Sequence, residues 1–291
     1  MRLYDAHNHL QDDRFGGRQA ELLEVCRQVG VVRMVVNGSC EQDWPAVLAL
    51  ARGHPEVLPS FGYHPWYVGD RSSAWQQRLL EHLEALPSAV GEIGLDRWKP
   101  GLSYEGQEEV FLAQLELAAE RNLPVSIHCL QAWGRLYELL RSHRRPACGF
   151  LLHSYGGPRE MVQPLAELGG YFSLPGYFAH ARKTRQQEVF RYVPLDRLLL
   201  ETDAPDQSLP PERQQFALAE AAGDRPINHP ANLRAVYEFA AELRGLSVET
   251  LAAHVEVNFQ RLFGALAQGS GSPAMIRTTT EAAANPNAPV T

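Results

Sequence analysis

The feature that most constrains this chain is a repeated alternation of short apolar runs with longer segments of helical periodicity. The runs cover residues 3–6, 31–37, 57–62, 89–93, 124–128, 149–153, 170–174 and 197–201. Nearly continuous apolar character over so few residues predicts strands buried on both faces. Between them, 19–29, 42–52, 75–86, 105–121, 133–144 and 159–168 repeat apolar residues at helical spacing, and 181–192 does so more weakly. Two further helical segments, 232–244 and 248–266, follow the last run. Strand–helix order of this kind predicts a parallel sheet covered by helices. Eight such units point to an α/β fold closed as a (β/α)8 TIM-type barrel, with an open doubly wound sheet as the alternative.

Barrels of this type commonly take about 250 residues as one domain. The 291-residue chain is therefore expected to form one barrel over residues 1–267. Residues 268–291 contain no aromatic side chain and few large apolar ones, and are expected to be a flexible tail. With 34 acidic and 27 basic residues the formal charge is −7, which argues against a broad basic surface that grips nucleic acid non-specifically. A local anion site stays open where bound metal supplies the positive charge. Cys26, Cys40, Cys129 and Cys148 have no CxxC spacing, so neither a disulfide framework nor a zinc finger is expected. The start, MRLYDAHNHL, has no apolar signal core, and no run is long enough to span a membrane. These features predict a cytoplasmic protein.

The chemistry-bearing residues gather at one end of the runs. His7 and His9 follow the first, His64 the third, and Asp203 the eighth, while Glu92, His128 and His153 stand at the ends of the fourth, fifth and sixth. In a closed parallel barrel those ends form one face, where active sites are built. His7 and His9 are alternate residues, so both imidazoles can face the barrel mouth and hold one ion. Polar caps satisfied by water would explain one such residue but not the four imidazoles of His7, His9, His128 and His153 and the two carboxylates of Glu92 and Asp203 with a common placement. Carboxylates mixed with imidazoles suit divalent Mg, Mn, Zn or Fe, and a bridging carboxylate can hold two ions about 4 Å apart.

The motifs DAHNHL, GYHPW, GEIGLD, SIHCLQA, FLLHSYGG, FSLPGYF and LLLETDAP, with NHPANL and NFQRLF, together resemble the TatD family of metal-dependent hydrolases of the amidohydrolase superfamily. The matched stretch runs over residues 5–263. The resemblance implies a TIM-type barrel, a centre with two divalent metal ions, and hydrolysis of phosphodiester bonds in DNA or a small phosphate ester. It implies His7, His9, Glu92 and Asp203 as ligands of one metal, and Glu92 as the bridge to a second held by His128 and His153. Asp203 is then the natural proton acceptor. His64 and Glu201 are expected near the substrate phosphate or behind a ligand, and Ser173 is expected either to orient the site or to form a turn. Asn228 and Asn258 are expected to be structural. Relatives often carry arginine two residues after the His128 position, where this chain has Leu130; Arg135 is a candidate substitute, although a helix-surface role suits it better. Trp66 and Tyr67 are candidates to stack a base, with loop packing as the alternative. The segment 205–229 is expected to cover the pocket edge. Two other functions remain open: hydrolysis of a small ester or amide on the same centre, and a non-catalytic binding role.

Overall fold

A computed structural model describes residues 1–268. The expected tail lies outside the described residues except for Gln268, which ends the last helix. The strands are β1 (Leu3–Asn8), β2 (Val31–Asn37), β3 (Val57–Phe61), β4 (Ala89–Asp96), β5 (Val125–Leu130), β6 (Phe150–Leu152), β7 (Gly170–Pro175) and β8 (Leu198–Glu201). The helices are α1 (Gln19–Gln28), α2 (Trp44–Gly53), α3 (Trp75–Ala85), α4 (Tyr104–Arg121), α5 (Trp133–Ser142), α6 (Val162–Glu167), α7 (Thr184–Tyr192), α8 (Leu233–Arg244) and α9 (Val248–Gln268). The strands lie in chain order in one eight-stranded parallel sheet. The seam between β1 and β8 is closed just beyond β8, where Asp203 N–H donates to the His7 carbonyl at 3.0 Å and His9 N–H to the Ala204 carbonyl at 2.8 Å. Below them the buried Asp5 carboxylate accepts Thr202 N–H at 3.0 Å and Thr202 Oγ1–H at 2.6 Å. The expected barrel is therefore the observed architecture.

Almost every strand residue is buried, because side chains alternate between the barrel interior and the helical layer. Two elements differ from expectation in ways that have local causes. The run expected to end at residue 93 continues to Asp96, because Gly94 interrupts the apolar pattern without ending the strand. The helix expected over 159–168 splits into a 3-10 turn and the short α6. Pro164 has no N–H to return to the preceding turn and its ring crowds the carbonyl four residues back.

Two irregularities position the functional end of the barrel. Between Asp5 and Asn8, β1 places two residues, Ala6 and His7, against one position of β2. Between Val90 and Ile93, β4 places Gly91 and Glu92 against Ser126 of β5. Such bulges bend the strand and re-aim a side chain. Helix α4 then clamps the strand ends with two glutamines in its buried stripe. Gln114 accepts Tyr63 N–H at 2.6 Å and donates to the Tyr63 carbonyl at 3.3 Å. Gln107 accepts Asp96 N–H at 2.7 Å and donates to the Asp96 carbonyl at 3.0 Å. No helix among the described residues is long and apolar enough to cross a membrane.

Gly94 allows β4 to lie against β5 at this level. Its φ is +153°, and a Cβ there would lie 1.9 Å from the His128 carbonyl oxygen. Rotation of a side chain cannot relieve a clash with backbone. Gly94→Ala should therefore destabilise the fold by roughly 3 kcal/mol or more, read as a lowered denaturant midpoint; an unchanged midpoint would show that the strands separate at little cost.

Candidate metal centre

Glu92 occupies the middle of the barrel mouth and is 2% exposed. Five imidazoles surround its two oxygens. Oε2 faces Nε2 of His7 at 3.3 Å and of His9 at 3.1 Å. Oε1 faces His64 Nε2 at 3.3 Å, His128 Nδ1 at 3.1 Å and His153 Nε2 at 2.8 Å. Asp203 Oδ1 lies on the Oε2 side, 3.6 Å from both His7 Nε2 and His9 Nε2. The seven ionisable groups expected at this face thus meet in one cluster, although they come from six strand ends. Glu92 itself is mid-strand rather than at the strand end, a consequence of the longer β4.

The far nitrogen of each ring decides what the near one can do. His9 Nδ1 faces the Asn37 carbonyl at 2.8 Å, so in the neutral ring it carries the proton and Nε2 is bare. His128 Nε2 faces Asp96 Oδ2 at 3.0 Å, which leaves Nδ1 bare. His7 Nδ1 meets Ser126 Oγ at 2.8 Å, a hydroxyl that can accept its proton. His153 Nδ1 is turned toward Glu201 Oε1 at 3.8 Å. His64 differs. Its Nδ1 accepts Trp66 N–H at 3.2 Å, so the neutral ring carries hydrogen on Nε2 and presents a donor to the site. Burial keeps this ring neutral, lowering its pKa to about 4.

The donor set fits divalent cations. Glu92 Oε1 is buried without a well-formed hydrogen bond, although imidazole nitrogens surround it, as a metal-facing oxygen would be. Two sets of atoms share Glu92: His7, His9 and Glu92 in one, and Glu92 with His128 and His64 in another. A third set, His7, His153 and Asp203, crosses between them, as the stacking of the His7 and His153 rings at 4.0 Å requires. Without a cation, protons balance the carboxylates. Burial opposes charge on Glu92, but His153, His64 and His7 outweigh it and hold its carboxyl well below the usual range. Burial likewise opposes charge on His9, yet Glu92 and Asp203 lift its pKa to about 9. Burial and the charge on His153 push His7 down to about 3. Asp203 is raised to about 7 by burial, against the pull of His153 and His9.

The backbone is strained where these groups converge. Asp203 has φ +51°, Ser154 +44°, Gln131 +54° and Gln207 +50°, all in loops that follow β5, β6 or β8. Left-handed residues other than glycine concentrate at functional sites because surrounding contacts must hold them there. Gln207 illustrates this, donating to Asp203 Oδ2 at 2.8 Å.

A cleft of about 930 Å³ opens above the cluster. Several expectations are refined there. Glu201 is fully buried and does not line the cleft; Ser154 N–H donates to it at 2.8 Å and the Ser173 hydroxyl also binds it. Its place behind His153 is a correction to a substrate contact and agrees with the positioning alternative. Leu130 lines the cleft, whereas Arg135 is tied to Glu108 at 2.7 and 2.9 Å and to Glu138 at 3.0 Å, away from the wall. Trp66 lines the wall with its indole N–H fixed on Asp96 at 2.6 Å, and Tyr67 stands beside it. Of the segment 205–229, only Asp206 and Gln207 reach the cleft; farther on it packs against the β1–α1 loop, where Arg18 donates to the Ala219 carbonyl. Asn228 donates to the Thr202 carbonyl, and Asn258 to those of Leu195 and Leu198, both structural roles. Asp96, Ser126, Gln207 and Trp98 are not among the residues expected from the sequence. Trp98 is 60% exposed on the cleft wall. Asp96 had a signal in GEIGLD, four residues past Glu92, but its partner His128 is 32 residues away.

A model of the family described as TatD related DNase matches residues 4–264. The chain belongs to the TatD family. The 3'-5' ssDNA/RNA exonuclease TatD of Escherichia fergusonii is 30% identical over 268 residues, covering 90% of this chain and 99% of its own. The uncharacterized metal-dependent hydrolase YjjV of Escherichia coli is 29% identical over 265 residues, with 90% and 98% covered. The crystal structure of that TatD homologue superposes with a TM-score of 0.80 at 28% identity, covering 90% of this chain and 98% of the other. Family membership makes this chain a metal-dependent hydrolase of TatD type.

Metal loading should release protons. Ligation needs a bare imidazole nitrogen, and His9 is charged near neutral pH in the cation-free protein because its pKa lies at about 9. Affinity should therefore rise with pH until His9 loses its proton near that value. Titration calorimetry at neutral pH, in two buffers of different ionisation enthalpy, should report net proton release; equal heats in both would count against a charged His9.

Proposed function

We propose that this TatD-family hydrolase cleaves phosphodiester bonds of single-stranded nucleic acid at the Glu92 centre, using two divalent cations. The carrying observation is that each Glu92 oxygen faces its own set of imidazoles, with Asp203 beside one set. In this reading His7, His9, Glu92 and Asp203 hold one cation, and Glu92, His128 and His153 the other. The mixed donors suit Mg, Mn, Zn or Fe. Bound cations would supply Lewis acidity and make a water more acidic.

The protein's own groups then divide the work. Asp203 takes the proton of the attacking water, while Gln207 fixes its other oxygen. His64 donates its Nε2 hydrogen to an oxygen of the phosphate. Asp96 holds His128 in the tautomer that aims a bare nitrogen inward, and the Glu201 carboxylate, 3.8 Å behind His153 Nδ1, favours a proton on that far nitrogen. The relatives named as single-strand exonucleases support the substrate class. The barrel over residues 1–267, a tail beyond it and a cytoplasmic location complete this reading. One observation favours a second reading, a small ester or amide substrate. Leu130 stands on the cleft wall, and Arg14 there is neutralised by Asp12 and Asp206, so neither of these positions offers free positive charge to a phosphate.

Asp203→Asn should lower turnover of a single-stranded oligonucleotide by roughly 100-fold or more, the range for losing a general base, while elemental analysis still finds bound metal. Near-normal turnover would remove Asp203 from that role. Glu92→Gln keeps the volume but loses the charge shared between the two imidazole sets, and should lower both bound metal and activity; full metal content with full activity would end the bridging assignment. Wild-type protein that holds metal and cleaves a carboxylic ester or amide but no diester would establish the second reading.

A further inference from the structure

Charge around the cleft is sorted into arcs. Asp12, Asp13, Asp43 and Asp206 line the side formed by the loops after β1, β2 and β8. Three cationic side chains other than histidine line the wall among the described residues: Arg14, Lys183 and Arg185. Arg14 is compensated, with Asp206 at 2.7 and 2.9 Å and Asp12 at 2.8 Å. Lys183 and Arg185 are not. The acid of α7, which begins just after Lys183 and carries Arg185, is Glu188, and it is taken by Arg191 at 3.2 Å. Lys183 Nζ lies instead 4.6 Å from the Tyr177 ring centre and 5.8 Å from that of Phe178, which holds an uncompensated cation in a half-buried position at the cleft.

We infer that the nucleic-acid strand leaves the centre over the loop joining β7 to α7, with its phosphates on Lys183 and Arg185. This rests on the phosphodiesterase reading and adds a direction to it. The acidic arc repels a polyanion at close range, and the neutral wall at Leu130 offers it no charge. Screening over about 8 Å at physiological salt makes these local arcs count for more than the net charge of the chain. Sequence preference would be weak, because phosphate contacts position a strand without reading bases.

The test compares wild type with the double variant Lys183→Gln, Arg185→Gln, neither of which belongs to the centre. Two substrates are used, a single-stranded oligonucleotide and bis(p-nitrophenyl) phosphate, a diester with no strand to hold. From about 50 to about 200 mM salt, kcat/KM on the oligonucleotide should depend on salt less steeply in the variant. At about 0.7 per phosphate contact on a single strand, the log–log slope should fall by about 1.4. KM should rise more than kcat falls, and turnover of the small diester should be unchanged. Arg135→Gln, at a residue tied to Glu108 and Glu138, should leave the slope as it is. An unchanged slope in the double variant overturns the inference while leaving the phosphodiesterase reading in place. Equal losses on both substrates also overturn it, because they show damage to the centre rather than loss of strand contacts. Wild-type protein that cleaves neither diester with metal present overturns the phosphodiesterase reading and this inference with it.

Discussion

The functional end of this barrel depends on keeping one carboxylate, that of Glu92, charged and out of water. An isolated buried carboxylate is strongly unfavourable. Here it is tolerated because five imidazoles face it within 3.3 Å. Four of those imidazoles are themselves held from behind, by Ser126, the Asn37 carbonyl, the Trp66 N–H and Asp96, and Glu201 lies 3.8 Å behind the fifth, His153. The result is a shell of alternating acceptors and donors in which moving one ring disturbs several others. Such a network gains most from a cation at its centre, since a cation replaces mobile protons with fixed charge.

Placing those groups is a backbone problem before it is a chemical one. The bulges in β1 and β4 turn His7 and Glu92 into the mouth. The amides of Gln107 and Gln114 fix the main chain at Asp96 and Tyr63, and so set the residues that anchor His128 and precede His64. A regular strand and a purely apolar α4 would bury as much surface and still misplace the centre. The seam at Asp5 and Thr202 has the same character, since it joins the first strand to the loop that carries Asp203.

Above the centre, chemistry and recognition separate. The groups around Glu92 are buried or nearly so, whereas the cleft wall carries exposed aromatics and unevenly distributed charge. Loops that follow parallel strands can change their wall residues without altering the strand ends beneath them. The end of β5 puts Leu130 on the wall, and in the helix that follows Arg135 is drawn off to Glu108.

The fold was legible in the sequence because it is written in local periodicity: eight apolar runs, each buried on both faces, each followed by a helical stripe. The grouping of His7, His9, Glu92, His128, His153 and Asp203 was legible as well, because a parallel barrel brings every strand end to one face. Local pattern could not show which ring nitrogen each histidine presents. That depends on partners such as Asp96 for His128 and the backbone N–H of Trp66 for His64, and on loops whose geometry no periodicity encodes. Nor could it show that Glu201 lies behind His153 while Trp98 faces the cleft, because two polar or aromatic residues near a strand end look alike until neighbouring strands cover one of them. Residue types and their spacing thus determined the barrel and the set of chemical groups at its mouth. Only tertiary packing decided their tautomers, their burial and the charge arcs of the cleft, because those properties belong to contacts between segments far apart in the chain.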